Sequence, residues 1–87
     1  MITGPQIKAA RALLSMDQRQ LAELSGLSLP TVQRMESSEG TVRCNVDSMM
    51  RVIEALQNAG IELINEDSDS QGKGRGVRLL SRAGPSA

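Results

Sequence analysis

Not one of the 87 residues is Phe, Tyr or Trp, so a hydrophobic core has to be assembled from Leu, Ile, Val, Met and Ala. Such side chains pack readily between helices, whereas a sheet draws much of its stability from aromatic and β-branched cross-strand pairs. The same absence argues against a single-stranded nucleic acid as ligand, because no ring is present on which a base could stack. The length suits one compact domain. A mainly α fold is the expectation.

Pro5 fits the first turn of a helix, and Ile7, Ala10 and Leu14 recur at helical spacing, which predicts a helix over 5–14. Asp17 can cap a second helix with Gln20 reaching back to it, and Leu21, Ala22 and Leu24 are expected to face inward along 18–25. Gly26 then stops the chain in a left-handed turn, Leu27 offers an apolar contact across it, and Ser28 caps a third helix over 29–37. Pro30 is tolerated there because the first turn has no intrahelical use for its missing N–H. Beyond the loop "SSEGTVRCN", Asn45 caps a fourth helix over 46–59, with Val46, Met49, Met50, Ile53 and Leu56 as its apolar stripe and Gly60 at its end. "IELI" (61–64) and "VRLL" (77–80) read as two short strands joined by a mobile, polar, glycine-rich loop, and 81–87 as a disordered tail.

Two short helices across a three- to four-residue glycine turn make a helix-turn-helix, whose second helix can enter a DNA major groove. Ala22 is placed where the helices cross, Val32 and Met35 face the core, and Leu29, Pro30, Gln33 and Arg34 are left pointing outward. The stretch "DQRQLAELSGLSLPTVQRMES" resembles the Cro/CI-like (XRE) helix-turn-helix family of phage repressors and bacterial regulators. Gln18, Leu21-Ala22, Ser25-Gly26-Leu27-Ser28, Thr31-Val32 and Met35-Glu36 fall on the family's pattern in register, and the resemblance covers residues 5–59. It implies a four-helix Cro/CI-like domain over 1–60 that binds double-stranded DNA. It further implies that Gln18 binds a phosphate and braces the recognition helix, and that Ser28 and Thr31 cap that helix or touch the DNA backbone; Ser37 and Arg43 are assigned to the same backbone set. Gln33 and Arg34 match positions used for base contacts, where a Gln suits adenine and an Arg suits guanine. Leu29 and Pro30 stand where phage relatives often carry polar readers, which leaves contact with thymine methyl groups.

Ten basic and ten acidic side chains cancel, so the molecule as a whole has no strong pull on a polyanion. Between Asp17 and Arg43 there are three basic and four acidic side chains, and Glu36 and Glu39 are expected close to the phosphates. Lys73, Arg75, Arg78 and Arg82 form a basic run with no acid from residue 70 onward, and Lys73 and Arg75 are candidates for accessory phosphate contacts. With no His and only Cys44, there is no metal cluster, internal disulfide or catalytic constellation, so neither an enzyme nor a cofactor is expected. The N-terminal residues lack a signal-peptide pattern and no apolar run approaches the ~20 residues of a membrane span, so the expectation is a cytoplasmic protein without a membrane partner.

The function expected on these grounds is a sequence-specific DNA-binding transcriptional regulator, a repressor acting as a homodimer. The competing reading is a protein-interaction module, antiactivator- or antitoxin-like, on a helix-turn-helix scaffold. Residues 61–80 are the expected dimerisation element, a hairpin that packs on helix 4 and pairs with its copy in a second subunit.

Overall fold

The structure, a computed structural model, describes residues 2–40, 42, 44–65, 72 and 74–80. Arg43, Lys73, Arg82, the tail 81–87 and loop residues 66–71 lie outside the described residues. The chain forms α1 (Gly4–Leu13), α2 (Gln18–Ser25), α3 (Leu29–Glu36), α4 (Val46–Asn58), β1 (Ile61–Ile64) and β2 (Gly76–Leu79). The expected mainly helical fold with a C-terminal hairpin is therefore the one observed.

Each helix begins at a side-chain cap, because its first N–H groups have no intrahelical acceptor. Asp17 Oδ1 accepts from Gln20 N–H at 2.7 Å while Gln20 Oε1 accepts from Asp17 N–H at 2.9 Å, the reciprocal arrangement expected for α2. The Ser28 hydroxyl accepts from Thr31 N–H at 3.3 Å, and Asn45 Oδ1 from Ser48 N–H at 2.7 Å. Thr3 and Gln6 make a second reciprocal box at the start of α1, which begins one residue before the expected position. Gly26 closes α2 at φ 72°, a left-handed conformation that costs a residue with a Cβ roughly 1–2 kcal/mol. Leu27 N–H returns to Ala22 C=O at 3.0 Å, so the turn between α2 and α3 is fixed by backbone as well as by packing.

The core joins all four helices to the hairpin through Ile7, Ala10, Leu21, Ala22, Val32, Met35, Met49, Val52, Leu56 and Ile61. Ile2 and Val42 add an unexpected link: both are buried, and Val42 N–H donates to Ile2 C=O at 2.9 Å, tying the N-terminal residues to the α3–α4 connection. Three expected core positions are outside instead. Leu24 is 60% exposed, and its neighbour Ser25 is buried in its stead, with its hydroxyl satisfied by Leu21 C=O at 2.7 Å. Val46 and Met50 are exposed because α4 turns Ser48, Met49, Val52, Ala55 and Leu56 inward. Apolar residues occur on so many positions of α4 that two overlapping stripes fit its sequence, and packing against α2 and β1 selects one.

In the hairpin Ile61 pairs with Leu79, Glu62 with Arg78, Leu63 with Val77 and Ile64 with Gly76. The second strand thus starts one residue earlier than the apolar run, at Gly76, and Leu80 follows it with its N–H on Gly60 C=O at 2.7 Å. β1 lies against α4 as expected, and β2 lies against α1. Gln6 secures the second contact: it is buried, and its Nε2 donates to Ile64 C=O at 3.0 Å and Gly76 C=O at 3.1 Å.

Candidate nucleic-acid interface

α3 has two faces of different character. Val32, Met35 and Glu36 are buried, while Pro30, Gln33 and Arg34 are exposed and Leu29 is half-buried. Three of the four expected base readers are therefore exposed on this eight-residue helix, with Leu29 half-buried at its start. Ser28 and Ser37, at its two ends, are exposed, and Thr31 is half-buried beside the cap with its hydroxyl 2.8 Å from that of Ser28. The Ser37 hydroxyl donates to Arg34 C=O at 2.9 Å, closing the last turn. Arg43 and Lys73 cannot be placed, since both lie outside the described residues. Arg75 is exposed near the hairpin loop, where its Nη1 donates to Asn65 Oδ1 at 3.0 Å.

Behind α3 sits a charged cluster that local patterns do not reveal. Glu36 is 2% exposed, and its carboxylate accepts from Arg11 Nε at 2.6 Å, Arg11 Nη2 at 2.8 Å and Gln18 Nε2 at 3.1 Å. Arg11 also donates through Nη1 to Met16 C=O at 3.0 Å. The hydrogen bond to Glu36, with the attraction of the same carboxylate, holds the Arg11 guanidinium above its ordinary value. Two parallel N–H···O bonds fix direction as well as distance, so α1, the start of α2 and the end of α3 are locked together. Gln18 is part of this brace, half-buried at the first position of α2.

The cluster corrects one expectation about charge. Glu36 does not stand on the phosphate side as a free acid; it is buried and neutralised by Arg11. Among the described residues the exposed charges of this unit are then Asp17, Glu23 and Glu39 against Arg19 and Arg34, an excess of one acid, as in the linear count. Glu36 could be seen in the sequence as part of the motif, but its partner Arg11 lies 25 residues away on another helix, and no periodicity within either helix connects them.

A buried, internally paired support beneath an exposed recognition helix, with a left-handed glycine fixing the turn, is the geometry of a helix-turn-helix. The family model described as Helix-turn-helix matches residues 7–57. The chain belongs to the Cro/CI-like (XRE) helix-turn-helix family. Comparison with curated proteins returns no match. Members of this helix-turn-helix family are DNA-binding regulators, and the matched span takes in α2, α3, Arg11 and nearly all of α4. Among the described residues no group of His, Cys, Asp and Glu could hold a metal ion, and no helix is long and apolar enough to cross a membrane. Cys44 is a free, exposed thiol whose pKa is raised above its ordinary value by desolvation.

The helix-turn-helix crossing is itself tightly filled. Ala22 is 5% exposed in a core shared with Leu21, Val32 and Met35. Ala22→Leu would force three further carbons into it, and overpacking of that kind costs about 1–3 kcal/mol. The variant is expected to unfold at correspondingly lower urea concentration; an unchanged midpoint would mean that the crossing has room to spare.

Proposed function

We propose that this XRE-family protein is a sequence-specific double-stranded DNA-binding transcriptional repressor that works as a homodimer in the cytoplasm. The observation that carries the reading is the segregation on α3: Pro30, Gln33 and Arg34 exposed together, against a buried face held by the Arg11–Glu36–Gln18 cluster. A recognition helix can discriminate bases only if its outward side chains are held at a fixed angle to the groove. Gln33 and Arg34 read base edges, Leu29 and Pro30 meet thymine methyl groups, and Ser28, Thr31 and Ser37 lie at the helix ends where phosphates pass. Gln18 keeps a second amide N–H for a phosphate while the first is spent on Glu36. Arg43, Lys73 and Arg75 add phosphate contacts.

The near-neutral surface lends no general attraction, but Arg43, Lys73 and Arg75 of each subunit make six cationic phosphate contacts in the dimer, so affinity is expected to fall about a thousandfold between 50 and 200 mM salt. Selection from random duplexes tests the reading. A single enriched motif repeated with two-fold symmetry, its half-sites about one helical turn or 34 Å apart, is the expected result. Enrichment of no motif would instead favour the protein-interaction module. On the enriched duplex Arg34→Ala is expected to cost about 1–3 kcal/mol while changing affinity for random DNA little. Equal losses on both would reduce Arg34 to a phosphate contact.

A further inference from the structure

The hairpin's hydrogen-bond phase determines which strand edge is available. Gly60 and Leu80 face each other and are bonded through Leu80 N–H, so by alternation the bonded pairs are Gly60–Leu80, Glu62–Arg78 and Ile64–Gly76. The N–H and C=O groups of Val77 and Leu79 consequently point away from β1. Of the two strands β2 is the more exposed: Ile61 is buried at the start of β1, whereas Arg78 and Leu79 are exposed on β2. β2 carries no proline, and its one charge, Arg78, is bonded to Glu62 at 2.9 Å. Such an edge lacks the usual protections against pairing with another chain.

A second observation lies beside it. A cavity of about 330 Å³ opens between α1 and β2, lined by Thr3, Pro5, Gln6 and Ala9 on one side and Arg75, Gly76 and Val77 on the other, with no residue of β1. Gln6 spends its amide on Thr3 and on the hairpin carbonyls, Arg75 reaches back to Asn65, and Pro5, Ala9 and Val77 supply the apolar part of the wall. A strand added to β2 would place the residue opposite Val77 over that cavity, because directly paired residues share a face of the sheet.

We infer that β2 pairs antiparallel with β2 of a second copy, centred on Arg78, so that Leu79 of each chain enters the α1–β2 cavity of the other. This rests on the homodimeric reading above and says which surface makes the dimer. Two-fold pairing must match outward-facing residues to outward-facing residues, which allows centres at 77, 78 or 79. Centring on 77 or 79 sends one outward pair to residue 75 or 81, beyond β2. Only the centre at 78 pairs Val77 with Leu79 twice, using every outward N–H and C=O of the strand. It also puts the 42%-exposed Leu79 against Pro5, Ala9 and Val77 of the other chain. Arg78 then faces its own copy across the axis, which is opposed by like charge but relieved by Glu62 on each side.

Disulfide trapping in the full chain tests the register, with Cys44→Ser as background so that the native thiol cannot compete. Across the axis the two residues 78 form a non-hydrogen-bonded pair with Cα atoms about 4.5 Å apart, inside disulfide range. Arg78→Cys is therefore expected to give a covalent dimer on mild oxidation. In Leu80→Cys the two thiols are offset along the strands by about 13 Å and no such dimer is expected. Leu79→Glu should raise the dimer dissociation constant at least tenfold in sedimentation while leaving the helical circular dichroism intact. A native chain that stays monomeric at tens of micromolar would overturn the homodimeric reading and this inference together. A native dimer that Leu79→Glu does not weaken, or that Leu80→Cys traps as readily as Arg78→Cys, would overturn the inference alone.

Discussion

Arg11→Ala is expected to cost about 3–5 kcal/mol of stability, because it strands the Glu36 carboxylate, 2% exposed, without its counter-charge. For a domain of this size each kcal/mol is worth about 4–8 °C of melting temperature, so the loss should be plain in thermal unfolding. The converse change should be milder. Arg11 is 19% exposed at its side chain and can turn toward water when its partner goes, and Glu36→Gln keeps an oxygen for Arg11 and Gln18. The contrast separates a buried-charge penalty from simple loss of a contact. Replacing both partners by apolar residues, Arg11→Met with Glu36→Leu, is expected to recover much of the stability. If Arg11→Ala and Glu36→Gln cost the same, the carboxylate is better hydrated than its burial indicates. DNA affinity supplies the second readout: loosening the cluster frees α3 and Gln18 together, so affinity should drop even at temperatures where Arg11→Ala remains folded.

Gly4→Ala is the other change with a large expected effect. Gly4 is the first residue of α1, and a Cβ there would meet the Ser38 carbonyl oxygen well inside contact distance and the Glu36 carbonyl oxygen at 2.6 Å. Both are backbone atoms at and just beyond the end of α3, so neither can rotate aside. Alanine is normally the better helix residue by about 0.5–1 kcal/mol, but here the clash must win, at or beyond the ~1–3 kcal/mol typical of overpacking. Gly40→Ala is the control, since nothing lies within 4 Å of its Cβ position. Urea denaturation of the two variants should differ by several kcal/mol in favour of Gly40→Ala. Should Gly4→Ala unfold like the native chain, α1 and α3 would be free to separate at no cost.

The elements with strong local punctuation were legible in the sequence. Asp17 with Gln20, Gly26 with Ser28, and Asn45 each mark a helix boundary through a hydrogen bond or a backbone conformation made within four residues. For the same reason α2 and α3 lie where the motif placed them, and Gln33 and Arg34 are outward because Val32 and Met35, on the other side of a short helix, must be inward. The Thr3–Gln6 box is equally local, and it starts α1 one residue before the position that Pro5 suggests.

What required the folded molecule were choices between nearly equal local options and partnerships across long chain separations. The sequence of α4 offers two overlapping apolar stripes, and contact with α2 and β1 decides that Met49, Val52 and Leu56 go in while Val46 and Met50 stay out. Ser25 displaces Leu24 from the interior because a hydroxyl satisfied by the preceding turn can be buried at little cost. Glu36 reads as a surface acid until Arg11, 25 residues earlier, is brought to 2.6 Å. Gln6 reads as a first-turn residue until Ile64 and Gly76 arrive above it. The sequence by itself determined the helices, their caps, the turn between α2 and α3 and the outward side chains of α3, since those depend on neighbours within a turn or two. Only the tertiary structure decided which charges are buried, which face of α4 is covered and what holds the hairpin, because those depend on atoms that meet only after the chain has closed on itself.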